Sequence, residues 1–254
     1  MKYTATRRNE RGHTLVELLV AVGVLGLVTA GVFGQLNTAA QRIYTEQVKV
    51  DNFDQARDFV DQFFRDINQI GYPNGRMVSF LPANLSVAAN LSAAQADSRV
   101  AVGLVKISPT SIWFEGDING TGVVQEVRYK INGSGTCALC LQRSTIAKTG
   151  NPPLSQTGGD WGTEVNDLTT TTIFTYFDVG GNQIFPPAEP GGYDIGSNGP
   201  QLASVKTIHI SLTIQDPNVT DPKTHAQIQT SFEGEVSLNN CSLAAIAVPP
   251  MSCQ

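Results

Sequence analysis

The chain has 254 residues, of which 41% are hydrophobic, and its 17 basic and 22 acidic residues give a formal net charge of −5. This length is enough for a domain with a sizeable core. The excess of acidic residues argues against the class of nucleic-acid-binding proteins that is recognised by a basic composition. The four cysteines fit an oxidising exterior better than a cytosol.

The chain begins with a short basic segment that is followed by an apolar run. Residues 1–12 carry four basic side chains, and residues 15–33 are Leu, Val, Ala, Gly, Phe and one Thr, apart from Glu17. At about 1.5 Å per helical residue, this run nearly spans the roughly 30 Å of a bilayer's hydrocarbon core. A carboxylate inside such a run costs free energy, so we expect Glu17 to have a partner.

Cleavage after Gly12 would supply that partner as the α-amine of His13. On a neighbouring copy of the chain, this amine could neutralise Glu17 and set the stagger between packed helices. Two other interpretations of the N-terminus stay open, a secretory signal peptide with a small-residue cleavage site at Val28-Thr29-Ala30 and a permanent single-span anchor. The carboxylate within the apolar run, and a helical pattern that continues across Ala30, argue against the signal peptide.

The helical pattern continues well beyond the apolar run. Apolar steps of three and four predict one buried stripe, with a polar face beside it. Gly71-Tyr72-Pro73 supplies a C-terminal glycine and a proline, which predicts the helix end. We therefore expect a helix over residues 14–70, roughly 85 Å long, half embedded and half packed on a globular domain. The predicted stripe is Leu36, Ala40, Ile43, Gln47, Val50, Phe53, Ala56, Val60, Phe63, Ile67 and Ile70, and the polar face includes Asp61 and Asp66.

The rest of the chain has the composition of a β-rich domain, because short runs of Val, Ile, Thr and aromatic residues alternate with turn residues. The last two runs alternate apolar and polar side chains, which predicts a hairpin with one face on the core and a connection at residues 216–222. The predicted strands cover residues 99–107, 111–115, 123–131, 139–145, 171–177, 205–214 and 227–238, and the predicted loops cover residues 82–98, 150–162 and 185–200.

Asp117 and Asn119 place oxygen ligands at alternate positions beside Gly120 and Gly122, as calcium-binding loops do. The segment lacks the third oxygen ligand and the final glutamate of an EF-hand. A turn between two strands, in which Asn and Gly adopt positive φ, explains the same residues without a metal. Calcium binding by Asp117 and Asn119 stays an alternative to this turn.

The four cysteines permit three pairings, and the sequence does not choose among them. A disulfide between Cys241 and Cys253 would close a loop of about a dozen residues, worth about 3 kcal/mol by the chain-entropy estimate. For Cys137 and Cys140, we expect a local disulfide or cross-pairing with the tail cysteines. A redox or zinc role would need a βαβ setting or a second ligand pair, and neither is evident.

Motifs for catalysis are missing from the sequence. It contains no phosphate-binding glycine loop, no nucleophile elbow and no zinc-protease motif. His209 in a predicted strand and His225 in a predicted turn are interpreted as solvated side chains, because neither has an evident catalytic partner. We therefore expect neither an enzyme nor a cofactor.

Gly12, the apolar run after it, and Glu17 as the fifth residue after Gly12 resemble the prepilin motif of type IV pilins and type II secretion pseudopilins. In that family, an aspartyl prepilin peptidase cuts after the glycine and methylates the new amine. The resemblance therefore implies a mature chain that begins at His13, where the family usually has Phe or Met. Where many members carry a helix-bending proline this chain has Gly34, which implies similar local flexibility.

Four downstream segments resemble strand and turn motifs of PilW-like minor pilins and J-type minor pseudopilins. They are residues 112–120 (IWFEGDING), 127–131 (VRYKI), 141–143 (LQR) and 174–182 (FTYFDVGGN). The resemblance implies an α+β, type IV pilin-like fold, in which a long N-terminal helix, half of it transmembrane, packs on an antiparallel β-sheet. It also implies a C-terminal disulfide loop, which here would join Cys241 to Cys253.

The implied organisation has four parts: a leader (1–12), a transmembrane helix half (13–34), an amphipathic helix half (35–71) and a globular β-rich domain (72–254). Without the leader, 13 basic and 21 acidic residues would remain, a net charge of −8, so a nucleic-acid partner is not evident. The implied location is the bacterial inner membrane, as a single-pass precursor with a periplasmic C-terminal domain, and afterwards the pilus at the cell surface.

The implied function is that of a PilW-like minor pilin, which helps to prime pilus assembly and supports adhesion, twitching motility or DNA uptake. Its implied partners are the prepilin peptidase, other major and minor pilins, the inner-membrane assembly platform and membrane lipid. Two alternatives remain: a J-type minor pseudopilin of a type II secretion system, and a membrane-anchored or secreted binding module outside any filament.

Overall fold

The computed structural model describes residues 14–73, 97–133, 139–149, 153–156, 158–221 and 223–238. The elements in these residues are α1 (Leu15–Asn68), β1 (Leu104–Ile107), β2 (Ser111–Gly116), β3 (Gln125–Asn132), β4 (Cys140–Ala147), β5 (Trp161–Val165), β6 (Phe174–Phe177), β7 (Gln183–Ile184), β8 (Tyr193–Asp194), α2 (Gly199–Ser204), β9 (Thr207–Thr220) and β10 (Gln227–Ser237), with a 3-10 turn at Pro153–Ser155. The strands form two antiparallel sheets, in the orders β5-β4-β3-β2-β1-β8 and β10-β9-β6-β7. The long helix packs on both, which confirms the predicted α+β class.

The two ends of α1 follow from the local sequence. Thr14 caps the first turn, and Gly71, just beyond the last turn, adopts a left-handed φ of 71°. The N–H of Gly71 donates to the carbonyl oxygen of Glu115 at 2.9 Å, so the chain after the helix is tied to β2. The predicted helix over residues 14–70 agrees with the observed one within two residues at each end.

Only the C-terminal part of the predicted apolar stripe lies against the domain. Ala56, Val60, Phe63 and Ile67 are at most 3% exposed, as the helical spacing predicts. Nearer the N-terminus the prediction of burial is wrong. The domain first buries the helix at Thr45 and Val48, so it does not reach Leu36 and Ile43, and it covers Val50 and Phe53 only in part. Leu36, Ile43, Val50 and Phe53 are between 46% and 72% exposed.

The hairpin of β9 and β10 confirms the predicted alternation of buried and half-exposed side chains along β9. The predicted connection at residues 216–222 is wrong in position, because β9 continues through Pro217 to Thr220. Pro217 lies in a bulge, where the pairing register between β9 and β10 shifts. Proline is tolerated there because residues of a bulge do not have to donate a ladder hydrogen bond. The residues around this bulge bring Val219 and Ile228 against Val48 of α1.

Each predicted strand corresponds to an observed one, but several short elements fall in or beside the predicted loops. β5 begins inside the predicted loop over residues 150–162, and β8 and the start of α2 lie in the one over residues 185–200. β7 and β8 have two residues each, which is too short for a recognisable strand pattern in the sequence. They are strands only because they pair with neighbouring strands. The predicted loop over residues 82–98 lies mostly outside the described residues.

The core joins the helix to both sheets through aromatic side chains. Phe63 lies with ring centroids 5.3 Å from Tyr129 of β3 and 5.6 Å from Phe174 of β6, so one helical residue contacts both sheets. Phe64 packs over Gly234 of β10, where an added Cβ would come within 2.8 Å of the ring. Glycine at this point allows the helix to approach the strand closely.

A buried carboxylate also fixes the helix to the six-stranded sheet. Asp66, expected on the polar face, is only 1% exposed. Its Oδ2 accepts hydrogen bonds from the hydroxyl of Tyr129 at 2.6 Å and from Nε of Arg143 at 2.8 Å, and its Oδ1 accepts one from Gln62. Burial and the adjacent Asp66 carboxylate raise the pKa of Tyr129 well above its usual value. The prediction for Asp66 is wrong because its partners come from distant strands.

We expect Asp66→Asn to lower the free energy of unfolding by about 3 kcal/mol, because the guanidinium of Arg143 would lose its charged partner in a largely dry site. Arg143→Met should cost a similar amount, and the double variant should cost less than the sum of the two. Denaturant unfolding of the detergent-solubilised chain measures all three. Asp61→Asn, at an exposed position of the same helix, is the control and should change stability by less than about 0.5 kcal/mol. Equal stability of Asp66→Asn and this control would contradict the assignment.

Candidate processing and assembly site

The predicted processing residues Gly12 and His13 lie outside the described residues, and the structure begins with the capping residue Thr14. The hydroxyl of Thr14 accepts a hydrogen bond from the N–H of Glu17 at 3.3 Å. In return, Oε2 of Glu17 accepts one from the N–H of Thr14 at 3.0 Å. Thr14 and Glu17 thus form a reciprocal capping box at the start of α1.

The sequence contains a local signal for this cap, although the sequence analysis considered Glu17 only as a partner of the His13 amine. A threonine followed three residues later by a glutamate, just before an apolar run, is the signature of a capping box. In this cap, the Glu17 carboxylate accepts a hydrogen bond from the backbone N–H of Thr14, the residue directly after His13. Glu17 therefore has a role within its own chain, at the positive end of the helix dipole, in addition to any role between chains.

The first part of α1 presents an apolar surface that the rest of the described chain does not cover. By length and composition, this helix is able to cross a membrane. A surface of this size is stable only against lipid or against other apolar helices. The large apolar side chains that are more than half exposed here are Leu15, Val16, Leu18, Leu19, Val20, Val22, Val24, Leu25, Leu27, Val28, Val32 and Phe33.

Asp117 and Asn119 lie in the turn between β2 and β3, as the turn interpretation predicts. The carboxylate of Asp117 accepts hydrogen bonds from the N–H groups of Thr121 at 3.0 Å and Gly122 at 2.8 Å, and the side-chain oxygen of Asn119 accepts from Thr121. Gly120 and Gly122 have positive φ values of 66° and 78°. The oxygens proposed as calcium ligands are therefore used by the turn itself.

Cys140 is buried at the start of β4 and is disulfide-bonded. The remaining cysteines, Cys137, Cys241 and Cys253, lie outside the described residues, so the pairing stays a prediction. Within the described residues, no group of three or more His, Cys, Asp or Glu side chains is arranged to hold a metal ion.

The structure also brings together two carboxylates that the sequence did not single out. Glu115 of β2 and Glu126 of β3 are directly opposite in the antiparallel register, and neither is exposed. Lys148 donates to Oε2 of Glu115 at 2.6 Å, and Nε of Arg128 donates to Oε1 of Glu126 at 2.6 Å. Because both carboxylates are closed to solvent, they contribute to the fold and are not accessible to a substrate.

Burial dominates the titration of this cluster. It raises the pKa of Glu115 and lowers that of Lys148, although each is ion-paired with the other. It also raises the pKa of Glu126 from 4.5 to about 7, against the attraction of Arg128. The folded protein therefore holds a proton on Glu126 in a pH range where the unfolded chain releases it.

This difference predicts how stability depends on pH. The contribution of Glu126 to the free energy of unfolding is fully present below pH 4.5 and is lost as the pH rises to about 7. In Glu126→Gln this side chain cannot ionise, so the decline of stability over that range should be shallower than in the unmodified chain. Denaturant unfolding at a series of pH values measures the slope, with Glu233→Gln at an exposed position of β10 as the control. An identical slope for Glu126→Gln and the control would show that the buried carboxyl does not titrate as described.

Residues 7–33 match the family model described as the prokaryotic N-terminal methylation motif. The match includes Gly12, His13 and Glu17 and ends inside the exposed apolar part of α1. The comparisons with curated proteins and with solved structures gave no match. The motif supports a type IV pilin-like protein, a pilin or a pseudopilin, and implies processing by a prepilin peptidase and assembly with other pilins. Proteins of this kind are structural subunits, and the apolar helix together with the motif fits a membrane-anchored, single-pass chain.

Proposed function

We propose that this protein is a PilW-like minor pilin, inserted with its acidic domain outside the cytoplasmic membrane, cleaved after Gly12 and N-methylated at His13. The observation that carries the proposal is the exposed apolar start of α1, which coincides with the methylation motif and continues without a break into the domain. In this proposal, residues 1–12 are the leader, 13–34 the membrane half of the helix, 35–71 its amphipathic half and 72–254 the external domain.

The helix geometry supports a role in a packed filament. Its apolar side chains lie in lipid before assembly, and neighbouring pilin helices replace the lipid afterwards. The exposed stripe of Leu36, Ile43, Val50 and Phe53 extends this surface beyond the membrane. The buried Asp66 and Phe63 hold the other end of the helix on the domain, so a movement of the helix moves the domain with it.

Glu17 has two successive partners in this proposal. In the single chain, its carboxylate caps the helix through the N–H of Thr14. After cleavage, the amine of His13 on a neighbouring subunit neutralises the carboxylate and fixes the axial position of the new subunit. Such subunits prime assembly with other major and minor pilins on the inner-membrane platform, and support adhesion, twitching or DNA uptake.

A J-type pseudopilin of a type II secretion system is the second candidate, because the matched motif serves both kinds of filament. The Gly- and Pro-rich segments at residues 150–162 and 185–200 favour the pilin over the more compact pseudopilin. Neighbouring genes distinguish the two, since pilus and secretion genes lie in different clusters.

The proposed processing predicts one mature N-terminus. Mass spectrometry of the membrane-extracted protein from a piliated strain should find a chain that begins at N-methylated His13. A chain that begins at Gly31, or that retains Met1, would overturn the proposal in favour of a secreted or membrane-anchored binding module.

The proposed role of the carboxylate predicts a defect in assembly that leaves the fold intact. We expect Glu17→Val to abolish recovery of the protein in sheared filaments, because the His13 amine would lose its charged partner. The membrane-bound amount and the unfolding midpoint of the domain should stay unchanged, since Glu17 lies far along α1 from the core. Glu46→Val, at an exposed position of the same helix, is the control and should assemble normally. Normal filament incorporation of Glu17→Val would contradict the assembly role.

A further inference from the structure

A groove of about 360 Å³ lies on the face of the six-stranded sheet that points away from α1. Trp113, Arg128 and Lys130 belong to this face by strand alternation, because Trp113 precedes the core residue Phe114, and Arg128 and Lys130 flank the core residue Tyr129. The two tryptophans of the chain, Trp113 and Trp161, both line this groove. Half-buried aromatic rings in a concave site are typical of ligand-binding surfaces.

Each tryptophan lies beside a cation. The guanidinium carbon of Arg128 is 3.9 Å from the ring centroid of Trp113, and Nζ of Lys130 is 3.9 Å from that of Trp161. These contacts stabilise the rings in place. They also set the cationic groups in fixed positions at the floor of the groove.

The cations differ in whether a carboxylate neutralises them. Above about pH 7, where Glu126 is ionised, it neutralises Arg128, and Lys106 is paired with Glu189 at 3.0 Å. Within the described part of the chain, Lys130 has no such ion pair, and its ammonium lies over the Trp161 ring. The groove therefore presents one uncompensated positive charge in a protein that is acidic overall.

The wall of the groove adds groups that bind hydroxyls. The hydroxyl of Ser111 donates to Oε1 of Glu189 at 2.7 Å, and the Glu189 side chain is 35% exposed. A carboxylate that is both hydrogen-bonded and accessible accepts hydrogen bonds from a polyhydroxylated ligand. The groove thus combines apolar ring faces, hydroxyl-binding groups and, in Lys130, one ammonium that is not paired with a carboxylate within the described residues.

We propose that this groove binds a carboxylated sugar chain of the uronate type. The C–H face of a sugar ring packs on tryptophan, its hydroxyls bind Ser111 and Glu189, and its carboxylate pairs with Lys130. Single-stranded nucleic acid also stacks on aromatic rings, but its bases carry no hydroxyls for Ser111 and Glu189 to bind. The binding does not depend on the filament role, because the groove is built from the domain alone.

Tryptophan fluorescence tests this proposal directly, because both tryptophans of the full chain lie in the groove. The detergent-solubilised protein is titrated with oligomers of galacturonate, glucuronate and mannuronate under tryptophan-selective excitation. We expect a saturable change in fluorescence with at least one of them. The methyl ester of the same oligomer, which keeps the sugar and removes the charge, should bind about tenfold more weakly.

Variants assign the binding to the groove. Lys130→Gln should weaken binding of the acid oligomer about tenfold and binding of the methyl ester much less, and Trp161→Ala should weaken both. Lys223→Gln in the β9–β10 turn is the matched control and should bind as the unmodified chain does. Thermal unfolding of each variant confirms that it is folded.

Three results would overturn the proposal: no saturable change with any of the three acids, equal affinity for acid and ester, or tighter binding of an oligothymidylate than of the sugar. Unchanged affinity in both groove variants would overturn it as well. Mature protein that begins at His13 but shows no binding would remove the sugar site and leave the filament role intact.

Discussion

One continuous helix in two different surroundings is the constraint on which the rest of this structure depends. Its first part exposes large apolar side chains that water cannot stabilise, and its last part supplies the centre of a folded core. The apolar contacts of this core are non-directional. The buried Asp66, with its hydrogen bonds to Tyr129 and Arg143, gives the helix a single position on the sheet.

The sequence predicts those parts of the fold that local chemistry determines. The stop at Gly71, the alternation along β9 and the turn at Asp117 each follow from a few neighbouring residues. Burial of Asp66 and pairing of β8 depend on partners far away in the chain, and periodicity carries no information on them. Periodicity likewise shows that one face of the helix is apolar, but it does not show how far along it the sheets extend.

The candidate site divides in the same way. The processing motif at Gly12, His13 and Glu17 consists of neighbouring residues, so the sequence alone suggests it. The capping box of Thr14 and Glu17 is also predictable from the sequence, for the same reason. The tryptophan groove and the opposed pair of Glu115 and Glu126 are products of strand register. Residues that are distant in sequence become neighbours there only after β1 to β5 have paired.

The junction after α1 has a mechanical consequence. The N–H of Gly71 bonds to Glu115, and the N–H of Asp117 bonds to the carbonyl of Tyr72, so the chain leaves the helix along the end of β2. β2 lies in the interior of its sheet, between β1 and β3. Tension along the helix axis is thus loaded onto an interior strand, where ladders on both sides share the force. An edge strand in the same position would peel away one hydrogen bond at a time.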